Sequence, residues 1–234
     1  MINLPLLKSD LNKLKNAKQA KLLSRFFKTG KGEYGEGDIF IGLTVPQSRK
    51  MAIKYKHLSL KEVEQLLSSK IHEYRLIALL LLVHNYKNNE EKRKEIYNFY
   101  LKNTRNINNW DLVDLSSHKI VGDFLSDKDK SVLYKLAKSK NIWERRIAII
   151  STANFIQQGR FTDTLEISKM LLNDKHDLIH KAVGWMLREV GKKDKVVLEN
   201  FLKRHYKSMP RTMLRYSIEK FSEKERKRYL KGEI

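Results

Sequence analysis

The sequence predicts an all-α fold built as a HEAT-like helical-repeat solenoid, and three observations support this prediction. Only 10 glycines and 3 prolines occur in 234 residues, so local preferences favour helix over sheet. Amphipathic segments of helical period follow one another from residue 46 to residue 229, with short polar turns at residues 87–89, 126–129 and 191–194. One type of segment also returns at a nearly constant interval.

The recurring segment is an apolar helix that contains a small residue, as in RLIALLLL, RRIAIIS, HKAVGWML and LRYSIEKF. The small residues Ala78, Ala148, Ala182 and Ser217 are separated by 70, 34 and 35 positions. A repeat of about 35 residues fits these intervals if a diverged copy, centred near Val113, lies in the first gap. Helix pairs of this length stack into a solenoid because one hairpin cannot bury its apolar face alone. A helical bundle with coincidental spacing is the alternative.

The segment before the repeats has a different character. Residues 6–28 have the pattern of an amphipathic helical cap, whereas GKGEYGEGD, at residues 30–38, contains four glycines. A phosphate-binding loop would continue into Gly-Lys-Ser or Gly-Lys-Thr, and Glu33, Glu36 and Asp38 would repel phosphate. We therefore expect a flexible, solvated connection. The predicted organisation is one domain over residues 1–234, with the cap and loop in residues 1–45 and stacked helix pairs in residues 46–234.

The charge of the chain indicates a polyanionic partner. The 48 lysines and arginines exceed the 27 acidic residues, and the formal net charge is +21. No apolar stretch is long enough to span a bilayer and no secretory signal pattern is present, so we expect an intracellular protein that binds nucleic acid in a concave basic groove. The mixed-sign run at residues 223–231 indicates a solvated terminal helix rather than a nucleic-acid-binding arm.

Several kinds of site can be set aside from residue content. The absence of cysteine excludes disulfides, thiolate zinc sites, iron–sulfur clusters and cysteine nucleophiles. His176 and His180 have the spacing of two zinc ligands, but no glutamate lies between them and no third ligand follows at motif distance. We expect no metal and no other cofactor, and a role for both histidines in DNA contact or solvation.

The segment NNWDLVD carries the strongest candidate for chemistry. Trp110 and Asp114 are four residues apart, so on a helix the carboxylate lies one turn beyond the indole on the same face. Asn108 and Asn109 fit a helix start, and Asp111 fits the positive end of the helix dipole. Asp114 has no such structural explanation, although a lone aspartate is usually a surface or capping residue.

Together with Trp185 and Arg188 in GWMLRE, this segment fits cleavage of an N-glycosidic bond. That reaction passes through an oxocarbenium-like sugar, whose positive charge a nearby carboxylate can stabilise. A purine alkylated on a ring nitrogen is already cationic, and the face of an indole attracts such a base. The structural alternative is that the tryptophans of helical repeats are core residues.

The same motifs resemble those of the bacterial DNA alkylation-repair glycosylases of the AlkD family. The resemblance rests on NNWDLVD, NIWERRIAI, HKAVGWMLREVGK and GEGDIFIGLTVPQSRK, in the family order, and extends from about residue 20 to about residue 230. It implies stacked HEAT-like repeats with double-stranded DNA in the concave groove, no metal or other cofactor, and hydrolytic excision of cationic N3- or N7-alkylated purines. 3-Methyladenine and 7-methylguanine are examples. A monofunctional enzyme of this kind leaves an abasic site.

The resemblance also assigns roles to individual residues. Trp110 matches the family's active-site tryptophan, Asp114 its catalytic carboxylate, and Trp185 the second indole that contacts the lesion. The DNA-binding candidates are Arg146 and Arg188, which match arginines that hold the DNA backbone, and their neighbours Arg145 and Lys181.

Two features lie outside the resemblance. Leu178 and Ile179 stand where some relatives have aromatic residues, and Phe26, Phe27 and Thr44 lie in a region that varies, so the resemblance assigns them no role.

A non-catalytic HEAT-like nucleic-acid-binding protein would share the charge and the repeats, and a protein-binding scaffold would share only the repeats. We expect a monomer without an obligate protein partner, located in the cytoplasm with the bacterial nucleoid.

Overall fold

A computed structural model describes residues 3–234, which form two compact units that divide between Ser116 and Ser117. Within residues 3–234 there is no β-strand, and the one extended pairing is an isolated parallel bridge between Ile39 and Ile71. No helix in that range is both long and apolar enough to cross a membrane. The predicted all-α class is confirmed, whereas the single domain and the concave groove stay predictions.

Fifteen α-helices make up most of the described chain. The first seven are α1 Leu4–Lys13, α2 Ala17–Phe26, α3 Val45–Lys54, α4 Leu60–Leu67, α5 His72–Asn88, α6 Arg93–Lys102 and α7 Trp110–Ser117. The others are α8 Ser131–Ala137, α9 Ile142–Ser151, α10 Ala153–Gln157, α11 Thr162–Met170, α12 Asp177–Lys193, α13 Lys195–His205, α14 Arg211–Ser217 and α15 Glu223–Lys231. A π-helical turn, His118–Gly122, follows α7 directly.

The N-terminal helical cap predicted for residues 6–28 consists of two helices, α1 and α2. The second helix begins after Asn16, which is the N-cap of α2. Its side chain accepts the Gln19 N–H. The Asn16 N–H donates to the Ile41 carbonyl at 2.9 Å, and Gly42 packs against the Asn16 carbonyl. These contacts join the cap to the chain segment that precedes α3.

Helix α5 forms the centre of the first unit and packs against α3 and α4. All residues from 76 to 82, LIALLLL, are buried, so this helix has no polar face over two turns. A helix that is apolar on every side is stable only inside the fold. The segment therefore anchors the residues at its N-terminal end, His72, Glu73 and Arg75, in a buried position.

In the second unit the equivalent helices of successive repeats lie side by side. Helix α12 packs against α9 on one side and α14 on the other. The predicted repeat positions are all buried, in α5, α7, α9, α12 and α14: Ala78, Val113, Ala148, Ala182 and Ser217. Close approach also explains Gly184, since a Cβ there would lie 2.6 Å from the Met213 carbonyl oxygen. The helical-repeat class is therefore confirmed.

The turn predicted at residues 191–194 is wrong for its first three residues. Helix α12 continues to Lys193, and Asp194 caps the next helix by accepting the Val197 N–H. Gly191 is not a turn residue, because a Cβ there would lie 2.3 Å from the Leu198 side chain in α13. The glycine allows two helices to approach. The terminal helix predicted at residues 223–231 is confirmed as α15.

Candidate functional site

Trp110 is the first residue of α7, and contacts on both sides of the helix start fix its position. The Asn109 side chain accepts the Trp110 N–H at 2.8 Å, and the Asn109 carbonyl accepts the Val113 N–H at 3.2 Å. Asn109 therefore acts as the predicted helix start. The Trp110 indole is half-buried, and its Nε1–H donates to the Tyr34 hydroxyl at 3.2 Å.

The indole of Trp110 packs against two phenylalanines of the N-terminal cap. It stacks on Phe27 with the ring centroids 5.0 Å apart and 16° between the planes. Phe26 meets it edge-on at 5.9 Å and is itself 64% exposed. Phe27 thus covers one face of the indole, and the half-exposed remainder of the ring lies beside the exposed ring of Phe26.

Asp114 lies one turn after Trp110 on α7 and is half-buried. Its charge acts on the hydroxyl of Tyr100, a fully buried side chain bonded to Ser116 at 2.9 Å. Burial in the first place, and then the Asp114 carboxylate, raises the pKa of Tyr100. Tyr100 therefore stays protonated, and Asp114 is the carboxylate that shares a helix face with the indole.

A buried charge network lies beside the first turn of α7. His72 contacts Asp38 through Nδ1 at 3.2 Å and Asp111 through Nε2 at 2.9 Å. Arg75 forms an ion pair with Asp38 at 2.7 Å, and the Asn109 amide donates to the same carboxylate at 3.3 Å. Burial alone would raise the pKa of Asp38. The hydrogen bond from His72 and the charge of Arg75 outweigh this effect and lower the pKa.

The glycine-rich segment at residues 30–38 is tied to this network rather than being a purely solvated connection. Glu33 accepts the Gly30 N–H at 2.8 Å and Glu36 accepts the Gly32 N–H at 2.8 Å, so the acidic residues hold the turns. The Asp38 side chain is buried. The expectation that Asp38 is a solvated loop residue is therefore wrong, because Arg75 and His72 compensate its charge.

Glu73, the neighbour of His72, holds the chain segment that follows Asp38. Its buried carboxylate accepts the backbone N–H groups of Ile41, Gly42 and Leu43, with distances of 2.8 to 3.2 Å. Three successive N–H groups directed at one carboxylate replace the partners that a strand or helix would supply. Glu73 thereby fixes the backbone close to Asp38.

In the second unit, Trp185 and Arg188 lie on α12 and share an acidic partner. The Trp185 Nε1–H donates to Glu189 Oε1 at 3.1 Å, and Arg188 pairs with the same oxygen at 3.3 Å. Arg188 also forms an ion pair with Glu219, which lowers the pKa of Glu219 against the opposing effect of its desolvation. Both predicted side chains are half-buried.

The other DNA-binding candidates of the second unit also have internal partners. Arg145 pairs with Asp174 at 2.6 Å, and Lys181 pairs with Asp177 at 2.6 Å. Arg146 is only 5% exposed and donates to the Leu178 carbonyl. This hydrogen bond uses one of the five guanidinium N–H donors and ties Arg146 to the start of α12.

His176 and His180 also have structural contacts with α12 and the loop before it. His176 is the N-cap, and its Nδ1 accepts the Leu178 N–H at 3.2 Å. The His180 ring bonds to the Asp174 carbonyl. Among residues 3–234, no group of three or more His, Cys, Asp or Glu side chains is arranged to hold a metal ion.

Sequence reasoning missed the residues that surround Trp110. Phe27, Tyr34, Asp38 and His72 come from three separate segments, and only Asp38 lies in a motif that carries the resemblance, which assigned it no role. One signal was available for His72: it is a titratable residue a few positions before the long apolar run that starts at Leu76. The resemblance left Phe26 and Phe27 without a role, yet both contact the indole of Trp110.

Comparisons with known proteins agree with the motifs. A family model described as DNA alkylation repair enzyme matches residues 7–221. The fold is similar to a predicted DNA alkylation repair enzyme from Enterococcus faecalis, with TM-score 0.67, 18% identity, and coverage of 89% of this chain and 97% of the other. It is also similar to AlkD2 from Streptococcus mutans, with TM-score 0.55, 20% identity, and coverage of 87% and 98%. No curated protein matches the sequence.

Proposed function

This chain belongs to the DNA alkylation repair enzyme family, and we propose that it hydrolyses the N-glycosidic bond of cationic N3- or N7-alkylated purines in double-stranded DNA. The products are the free base and an abasic site, and the enzyme is monofunctional. It acts as a monomer, without a cofactor, on DNA in the bacterial cytoplasm.

The observation that carries the proposal is the pair on α7, a half-buried indole with a half-buried carboxylate one turn beyond it. The indole of Trp110 is held in place by Phe27 and Tyr34, and in this proposal the planar cation contacts the part of the ring that Phe27 does not cover. Asp114 follows on the same helix face, where its negative charge can act on the sugar of a base that contacts the indole.

The reaction balances without a proton donor. An alkylated purine carries its positive charge before bond cleavage, and the C1′–N bond breaks with both electrons going to the base, which leaves neutral. Positive charge passes to the sugar, where Asp114 stabilises it and orients a water molecule. The water oxygen bonds to C1′ and releases one proton. A neutral damaged base lacks this driving force and is a poor substrate.

In this proposal the residues of the second unit bind DNA, and their roles are those that the family resemblance implies. Trp185 supplies a second aromatic contact to the lesion, and Arg188 and Arg146 contact the backbone, with Arg145 and Lys181 beside them. The net charge of +21 supports a DNA partner, since neutralising phosphates releases counterions.

The test is release of 7-methylguanine from duplex DNA under single-turnover conditions, with the free base detected by chromatography. Asp114→Asn should slow release by at least 100-fold while duplex affinity stays equal or increases, because the amide keeps the shape but lacks the charge. Asp163→Asn is the matched control, since Asp163 also lies early in a helix and accepts one hydrogen bond, from Tyr134. The control should retain the wild-type rate.

Two results would contradict the proposal. An unchanged rate in Asp114→Asn removes this carboxylate from the mechanism. No release of 7-methylguanine or 3-methyladenine by the wild-type protein, with duplex binding retained, identifies a non-catalytic nucleic-acid-binding protein instead. Hypoxanthine in the same duplex serves as a neutral lesion and should be released at least 100-fold more slowly than 7-methylguanine.

A further inference from the structure

The ring of His72 lies between two carboxylates and hydrogen-bonds to both. Nδ1 is 3.2 Å from Asp38 Oδ2, and Nε2 is 2.9 Å from Asp111 Oδ2. An ionised carboxylate only accepts hydrogen bonds, so both ring nitrogens must carry hydrogen. A neutral ring would direct a lone pair at one of the two carboxylates. With both carboxylates ionised, only the imidazolium form makes both hydrogen bonds.

The charges around this ring compensate each other. Asp38 comes from the glycine-rich segment, Arg75 from α5 and Asp111 from α7, so with His72 there are two cations and two anions. All four side chains are nearly buried. Burial alone would lower the pKa of His72, but Asp111 and then Asp38 raise it from 6.5 to about 9.

His72 reaches Trp110 by two separate routes. Asp111, which the ring holds, is the residue directly after Trp110 in the first turn of α7. Phe27 contacts both rings, with its centroid 5.0 Å from that of His72 and 5.0 Å from that of Trp110. Phe40 stacks on the ring of His72 at 4.5 Å and completes the packing.

We propose that the His72 imidazolium is a positioning residue for base release. It holds the first turn of α7 and the ring of Phe27, and thereby keeps Trp110 and Asp114 in the arrangement that the reaction requires. This inference rests on the proposed function for the identity of the reaction, whereas the coupling between His72 and Trp110 is a property of the unliganded protein.

The coupling gives the site a defined response to pH. Loss of the proton from His72 removes one of its two hydrogen bonds and leaves a net negative charge among buried groups. Because the pKa is raised from 6.5 to about 9, the stabilisation by His72 is complete below about pH 6.5, decreases above it and is absent above about pH 9. Asp111→Asn removes the strongest cause of this upward shift and should lower the pKa of His72.

The first experiment measures single-turnover release of 7-methylguanine from pH 5.5 to 10, with uncatalysed release subtracted at each pH. The wild-type rate should fall with a midpoint near pH 9. In Asp111→Asn the midpoint should move down by at least one pH unit relative to the acidic plateau of the same variant. Asp163→Asn should keep the wild-type midpoint. An equal midpoint in Asp111→Asn, or a flat wild-type profile, would overturn the proposal.

The second experiment needs no catalysis. NMR of the free protein follows the His72 ring and the Trp110 indole N–H, which Trp110→Phe assigns. Both signals should titrate with one midpoint, and Asp111→Asn should lower that midpoint for both. If the chemical shift of the indole N–H does not change as His72 titrates, the proposal is overturned. If Asp111→Asn does not fold, the titration of the wild-type protein alone decides the question. Coupled titration without base release would mean that the proposed function has failed and the coupling has not.

Discussion

Glu73→Ala and Glu73→Gln should destabilise the protein by different amounts, because one carboxylate accepts three consecutive backbone N–H groups. The Gly42 and Leu43 N–H groups lie 2.8 and 3.2 Å from Oε1, and that of Ile41 lies 3.1 Å from both oxygens. The side chain is 1% exposed, so water does not replace a lost acceptor easily. Such N–H groups are costly to leave unpaired.

The expected magnitudes follow from this geometry. A buried donor without an acceptor costs about 1–3 kcal/mol, so Glu73→Ala, which affects three donors, should lower the free energy of unfolding by roughly 3–9 kcal/mol. Glu73→Gln keeps one oxygen, which can replace Oε1, but its amide NH₂ then faces the Ile41 N–H. The variant loses the negative charge and gains one unfavourable donor–donor contact. Together these should lower the free energy of unfolding by about 2 kcal/mol.

Urea unfolding followed by circular dichroism measures both effects as midpoint shifts at unchanged slope. Glu91→Gln is the control, since Glu91 is exposed, and should change the unfolding free energy by less than about 0.5 kcal/mol. If the alanine and glutamine variants lose equal stability, or if both lose under about 1 kcal/mol, the carboxylate is not the main acceptor for this segment.

Two further predictions concern backbone geometry and DNA affinity. Gly42→Ala should cost at least about 3 kcal/mol in thermal unfolding, because φ is +88° and the new Cβ would lie 2.1 Å from the Asn16 carbonyl oxygen. Gly32→Ala, with φ +79° and no atom within 4 Å, should cost only about 1–2 kcal/mol, and equal losses would refute the argument from contact. Glu219→Gln should tighten binding to undamaged duplex DNA by about twofold to fivefold at low salt, because it removes one of the two carboxylates that pair with Arg188. Fluorescence anisotropy measures this affinity, and weaker or unchanged binding would show that Arg188 does not contact DNA.

The helical class and the repeat positions could be predicted because their signals are local. The repeat spacing follows from small residues such as Ala148 and Ala182, which are buried where equivalent helices pack. The meaning of Gly191 could not be predicted, because a glycine that allows close packing has the same sequence signature as one that ends a helix. The error at residues 191–193 has this origin.

The candidate site could be predicted only in part, for a related reason. Trp110 and Asp114 share a helix face, and their spacing alone indicates this. The pairing of Asp38 with His72 joins residues 34 positions apart and depends on how the glycine-rich segment returns to α5. Arg146 illustrates the same limit, since its partner is a backbone carbonyl 32 positions away, and residue type does not reveal a carbonyl acceptor.

The internal ion pairs of the second unit bear on how the protein would search a genome. Arg145, Arg188 and Lys181 already have carboxylate partners before DNA arrives. A phosphate contact by any of them is then an exchange of one anion for another, which yields less free energy than pairing a solvated cation. Under the DNA-binding role proposed for these residues, dwell times on undamaged sequence would be shorter and sliding along the duplex would be faster. A protein of such high positive charge can in this way bind DNA without being trapped at each undamaged site.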